Sequence, residues 1–193
     1  MSQADFGYYL ECSLDLAVGL ANTHDPLSGK NDRLGDAGTL SSFLAEHKVS
    51  YARRPSQGDL AQVWGLAARL REAFDARDER SAAKILNEML QGSNSSPELT
   101  DHDGEPWHLH FTPEDSSLHQ RLTAETSMAL AVLISQGEFE RLRVCEAESC
   151  TDVFVDKSRN RSRLYCSPQI CGNRASVAAF RAREKEKALK AGQ

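Results

Sequence analysis

The sequence predicts a mainly α protein with a small β component: a helical N-terminal domain over residues 1–140, then a four-cysteine finger over residues 141–193 built from a hairpin and a C-terminal helix. Three observations carry this reading. Apolar residues recur at spacings of three and four through much of the first 140 residues, the period of helices that bury one face. Four of the five cysteines crowd into "CEAESCTDVFVDKSRNRSRLYCSPQICGNR", residues 145–174. The charge changes sign at the same boundary: residues 1–140 hold 11 Lys and Arg against 22 Asp and Glu, a net −11, and residues 141–193 hold 12 against 6, a net +6, which together recover the chain's −5.

The helical elements follow in order. "SLDLAVGLANTHDPLSGKNDRLGDAGTL" begins as an apolar segment, expected to be a short helix at about 13–22, and then dissolves into turn residues. Thr39 is the expected N-cap of a helix with Leu40, Phe43, Leu44 and His47 on one face. Leu60, Val63, Ala67, Leu70 and Phe74 mark an amphipathic helix capped near Asp59. "SAAKILNEMLQ" repeats the pattern, with Ser81 as cap, Ile85, Leu86, Met89 and Leu90 facing the core, and Gly92 as terminator. "PWHLHF" alternates as a strand does, Trp107, Leu109 and Phe111 opposite His108 and His110, but no partner strand is legible. A long helix follows, with Thr112 as N-cap, Pro113 at its first position, Gly137 at its end, and Leu118, Leu122, Ala129, Val132 and Leu133 buried.

Cys145 and Cys150, then Cys166 and Cys171, form two Cys-x4-Cys pairs separated by fifteen residues. Two thiolate pairs, each closed by a turn, complete the tetrahedral shell that zinc prefers, so one structural Zn2+ is expected; an iron–sulfur cluster and redox-active thiols are the alternatives. "DVFVD" and "RLYC" read as strands joined by the polar turn "KSRNRS", and "RASVAAFRAREKEKALK" as a helix launched at the last ligand. The result is a treble-clef-like zinc finger too short to fold without its ion. Val177 and Phe180 are expected to pack on the hairpin. That leaves Lys157, Arg159, Asn160, Arg161 and Arg163 of the turn and Asn173, Arg174, Arg181 and Lys185 of the helix for a phosphate backbone; solvated surface charge is the plainer alternative.

The stretch "VFVDKSRNRSRLYCSPQICGNRASVAAFRAR", with all four cysteines and the tetrapeptide Cys171-Gly172-Asn173-Arg174, closely resembles the CGNR zinc finger. Upstream, "LDLAVGLANTHDP", "DRLGDAGTLSSFL" and "WHLHF" resemble the helical ABATE domain that usually precedes it. The resemblance implies a bacterial, stress-associated transcription regulator whose finger binds double-stranded DNA. A zinc-stabilised module for RNA or an acidic protein is the alternative, and oxidation that ejects zinc is a third reading. One small finger offers few base contacts, which makes a homodimer an expectation.

Other candidates are weaker. His108 and His110 could ligate a second metal but read as the polar side of a strand, and Cys12 reads as a small buried hydrophobe. Asn22, His24 and Asp25 read as a loop cap, with a small-molecule pocket in the N-terminal domain as the alternative. No nucleophile elbow, phosphate-binding loop or His-Glu-x-x-His helix is present, and four cysteine ligands leave zinc no open position, so no enzyme activity is expected. There is no run of eighteen apolar residues and no signal-like N-terminus, which points to a cytoplasmic protein without a membrane partner.

Overall fold

The computed structural model describes residues 3–27, 29, 33–49, 51, 53–100 and 108–191. The chain divides into two compact units, Met1–Phe139 and Glu140–Gln193. The first contains α1 (Gln3–Ala21), α2 (Ala37–Glu46), α3 (Gln57–Phe74), α4 (Glu79–Gly92), β1 (Glu98–Thr100), β2 (His108–His110) and α5 (Leu118–Ser135). The second contains β3 (Leu142–Val144), β4 (Val153–Val155) and α6 (Asn173–Ala191).

In the first unit α1, α3, α4 and α5 pack against one another, and α2 lies on α3. The core is made of Leu16 and Leu20 from α1, Leu60, Val63, Leu66 and Leu70 from α3, Leu86 from α4, and Leu118, Leu122 and Leu130 from α5, all nearly inaccessible. Burying a leucine contributes about 2 kcal/mol each, so these faces hold the bundle together. Leu118, Leu122, Ala129 and Leu133 are buried as the periodicity indicates, while Val132 is only half-buried. Helix α1 begins about ten residues before the expected start. Its inward face is Ser13, Leu14, Leu16, Ala17 and Leu20, which leaves Cys12 exposed on the outer side rather than buried. Gly19 allows α2 to approach: a Cβ there would lie 2.8 Å from His47 Nε2, and the His47 ring sits 4.4 Å from that of Phe43.

The helix starts differ from expectation in an instructive way. Asp36, Ser56, Asp78 and Ser117 are the N-caps, not Thr39, Asp59, Ser81 and Thr112. Thr39, Asp59 and Ser81 are each the third helical residue, and the first two return a hydrogen bond to the cap backbone in a capping box. At the other end of α4 the chain turns after Gly92, with Ser93 as C-cap and Asn94 in the left-handed region at φ 55°. Gly137, at φ 72°, follows the C-cap of α5 as expected.

The missing strand partner is β1. It pairs antiparallel with β2 in the register Glu98↔His110, Leu99↔Leu109 and Thr100↔His108. Trp107, expected to begin the strand, lies outside the described residues. Asp25 closes the loop after α1: its carboxylate accepts the Leu27 N–H at 2.9 Å and its carbonyl accepts the Gly29 N–H at 2.8 Å, in keeping with the loop-cap reading.

Candidate metal centre and basic loop

The second unit is organised around its cysteines. Strands β3 and β4 pair as Leu142↔Val155, Arg143↔Phe154 and Val144↔Val153, so their hairpin encloses the first cysteine pair. This corrects the expectation that "DVFVD" pairs with "RLYC" across "KSRNRS": residues 162–166 form no strand, and the basic segment is a loop leading out of β4. Between β3 and β4 the Cys150 N–H bonds the Ala147 carbonyl at 2.9 Å, which folds the knuckle that brings Cys145 and Cys150 together.

The second pair reaches the first through the backbone. The Glu146 N–H bonds the Leu164 carbonyl at 2.9 Å, and the Cys166 N–H points at Cys145 Sγ at 3.4 Å. Cys171 sits in a π-helical turn, Pro168–Gly172, whose start is capped by Ser167 Oγ accepting the Ile170 N–H at 3.2 Å. All four Sγ atoms lie within 4.8 Å of one another. Cys166 Sγ is 3.7 Å from that of Cys150 and 3.6 Å from that of Cys171. Zn–S bonds of about 2.3 Å place tetrahedral sulfurs about 3.8 Å apart, so the spacing fits one ion, whereas a disulfide would need about 2 Å.

A cation would let the four thiols ionise together. Burial pushes the Cys150 thiol up to about 11, and burial together with the neighbouring sulfurs pushes Cys166 upward as well. At Cys145 burial also opposes ionisation, but N–H donation from Cys166 and Ala147 outweighs it and the pKa is lowered. Four thiolates in one cluster repel, and a divalent ion removes the penalty. Among the described residues no other group of three or more His, Cys, Asp or Glu is placed to hold a metal.

The basic loop is held by residues that sequence reasoning overlooked. Asp156, at 0% exposure, accepts the Ser158 N–H on one oxygen and the Arg163 N–H on the other, both at 2.8 Å. Arg141 Nη1 donates to the carbonyls of Asp156, at 2.6 Å, and Ser158, at 2.8 Å. An Asp two residues before a Ser is the sequence mark of this turn. Arg163 faces inward, its guanidinium 4.9 Å from the Phe154 ring centroid and its Nε donating to the Tyr165 carbonyl at 2.8 Å. Lys157, Arg159, Asn160 and Arg161 are exposed, Arg161 with a left-handed φ of 51°.

On α6, Arg174, Arg181 and Lys185 are exposed, and Asn173 Nδ2 donates to the Gln169 carbonyl at 2.7 Å. Val177 and Phe180, expected against the hairpin, are 48% and 57% exposed. The physical reason is size: the apolar cluster of the unit, Ala147 and Phe154 with the cysteines and Tyr165, is too small to cover a helix of 19 residues.

Comparison with known families now decides between zinc and the alternatives. Residues 141–184 match the family model of the CGNR zinc finger, and residues 14–137 match that of ABATE, described as "Putative stress-induced transcription regulator". The chain belongs to the ABATE family. None of the curated proteins matches it. In this ABATE protein the four clustered cysteines therefore form one structural zinc site. Both matched families are regulatory or zinc-finger families rather than enzyme families. Among the described residues no helix is long and apolar enough to cross a membrane.

Proposed function

We propose that this ABATE protein is a cytoplasmic, DNA-binding transcriptional regulator of a bacterial stress response. Zinc fixes the finger, and exposed cations of the loop and of α6 grip duplex DNA. Lys157, Arg159, Asn160 and Arg161 form the loop contacts; Asn173, Arg174, Arg181 and Lys185 form the helix contacts. Arg163 belongs to the loop's framework because its guanidinium is already engaged by Phe154, Tyr165 and Cys166. The observation that carries the reading is a net charge of +6 on residues 141–193, with its loop cations displayed from a turn that a buried aspartate holds shut. The helical unit serves as the sensing part, and pairing of two chains would double the base contacts.

Fluorescence titration of the zinc-loaded chain against random duplex DNA at rising salt tests this. Affinity is expected to fall steeply with salt, and Arg159→Ala or Arg174→Ala each to weaken binding and lower the salt slope by about one. Failure to bind any duplex, or preference for single-stranded RNA, would sink the proposal.

A further inference from the structure

The geometry points to the groove between the π-helical turn and α6 as a surface that reads A·T base pairs in the major groove, through the methyl group of thymine. This deepens the DNA-binding reading and rests on it. The groove is shallow and open to solvent, with a volume of about 510 Å³. Its apolar side is Ile170, Val177 and Ala178, and its polar side is Gln169, Arg174 and Arg181, with Asn173 between them. Ile170 is 56% and Val177 48% exposed, beside a zinc ligand and in the second turn of α6.

Apolar side chains so exposed lose free energy in water unless a partner covers them. Charge selects the partner. Every ionised side chain lining the groove is an arginine, so a second copy seated on it would bring Arg174 and Arg181 against their own counterparts. Duplex DNA supplies anionic walls to a groove whose floor carries one apolar group, the thymine methyl. The side chains match the rest of that floor: a Gln amide, here that of Gln169, pairs with adenine, and Val, Ala or Ile meets the methyl of its thymine partner.

The spacing also fits. Arg174 and Arg181 are seven residues apart on one helix, about 10 Å along its axis or about three base-pair steps, and Val177 lies between them. Cys171 lies next to Ile170 in the same turn, so the ion that orders the cysteines also sets one wall of the groove.

The test uses the full zinc-loaded chain and two pools of short random duplexes of the same sequences, one normal and one with deoxyuridine in place of thymidine. Uracil pairs as thymine does but lacks the methyl. The chain is expected to bind the uracil pool more weakly, by about fourfold for each thymine methyl that the groove covers. Val177→Ser, at an exposed helix position, is expected to bring the two pools together, whereas Arg159→Ala should weaken both equally. Zinc content, measured on each variant, confirms the finger is intact.

Equal binding of both pools by the unaltered chain overturns the inference and leaves the DNA-binding reading standing; no binding to either pool removes both. Dimerisation that Val177→Ser abolishes would assign the face to a second copy and overturn it. So would an acidic amphipathic peptide that binds the unaltered chain but not Val177→Ser while the pools remain equal.

Discussion

Asp156 Oδ2 accepts the backbone N–H of Arg163 at 2.8 Å, closing a seven-residue loop on a buried carboxylate at the end of β4. Residues 157–163 form no strand, so side chains hold the loop: the Asp156 carboxylate takes two of its amides and the Arg141 guanidinium two carbonyls. Burial opposes ionisation of Asp156, but hydrogen bonds from Ser158 and Arg163 outweigh it and hold the carboxyl below its usual range. Substitution by Ala leaves two backbone donors without their acceptor, at a cost of about 2–3 kcal/mol. The Asp156→Ala chain should surrender zinc to a chelator more readily and bind duplex DNA less well, with Arg159 still present. Zinc retention equal to that of the unaltered protein would refute the anchoring role.

Arg163 and Arg159 belong to one run of basic residues at every second position but differ in work. Arg163 lies over Phe154 and donates to two carbonyls, so Arg163→Ala should destabilise the finger by about 1–2 kcal/mol. Arg163→Lys should recover little of this, because an ammonium group lacks the planar fork. Arg159→Ala should leave stability unchanged and reduce DNA affinity alone. Chelator competition and DNA titration on the same three variants separate the roles.

The helices were legible because burial imposes a period of 3.6 on Leu60, Val63, Ala67 and Leu70, and no local detail can hide it. Their starts were not, because Thr39, Asp59 and Ser81 carry the small polar side chains suited to a cap while serving as the third helical residue. The four ligands were legible from thiol spacing and family resemblance. The path between them was not: "RLYC" has strand composition, but the Asp156 carboxylate takes its place as partner for the loop amides. Periodicity is likewise silent on whether a partner exists: Val177 and Phe180 carry the pattern of a buried face, and the hairpin does not cover them.

Asp59 gives the first unit an acid limit. Hydrogen bonds from Arg53, at 2.8 and 2.9 Å, overcome burial and, with those from Ser56, lower its pKa from 3.8 to about 2. The folded-state value lies below the unfolded one. The stabilisation is therefore complete above about pH 4 and disappears as the pH falls through about 2, amounting to about 1–2 kcal/mol once screening at the half-exposed Arg53 is allowed for. Trp64 and Trp107 both fall in this unit, so tryptophan fluorescence in urea reports it alone. Asp59→Asn should flatten the fall in unfolding midpoint across that window; an unchanged pH profile would contradict the ion pair's role.

Zinc removal should unfold the finger and spare the bundle. The apolar cluster around the site counts all four cysteines among its members, so without the ion it keeps Ala147, Phe154 and Tyr165, beside the buried Leu142, Val153 and Val155 of the hairpin. That is far too little apolar area to offset the ordering of some fifty residues. The first unit has its own leucine core and shares no ligand with the site. Thiol titration makes the contrast countable, because Cys12 is exposed while the other four belong to the zinc cluster. The zinc-loaded protein should react rapidly at Cys12 alone, and after chelation at all five cysteines, with the urea midpoint from tryptophan fluorescence unchanged. Cys145→Ser should expose the remaining thiols without any chelator. Slow thiols after complete metal removal would mean that the finger holds itself together without zinc.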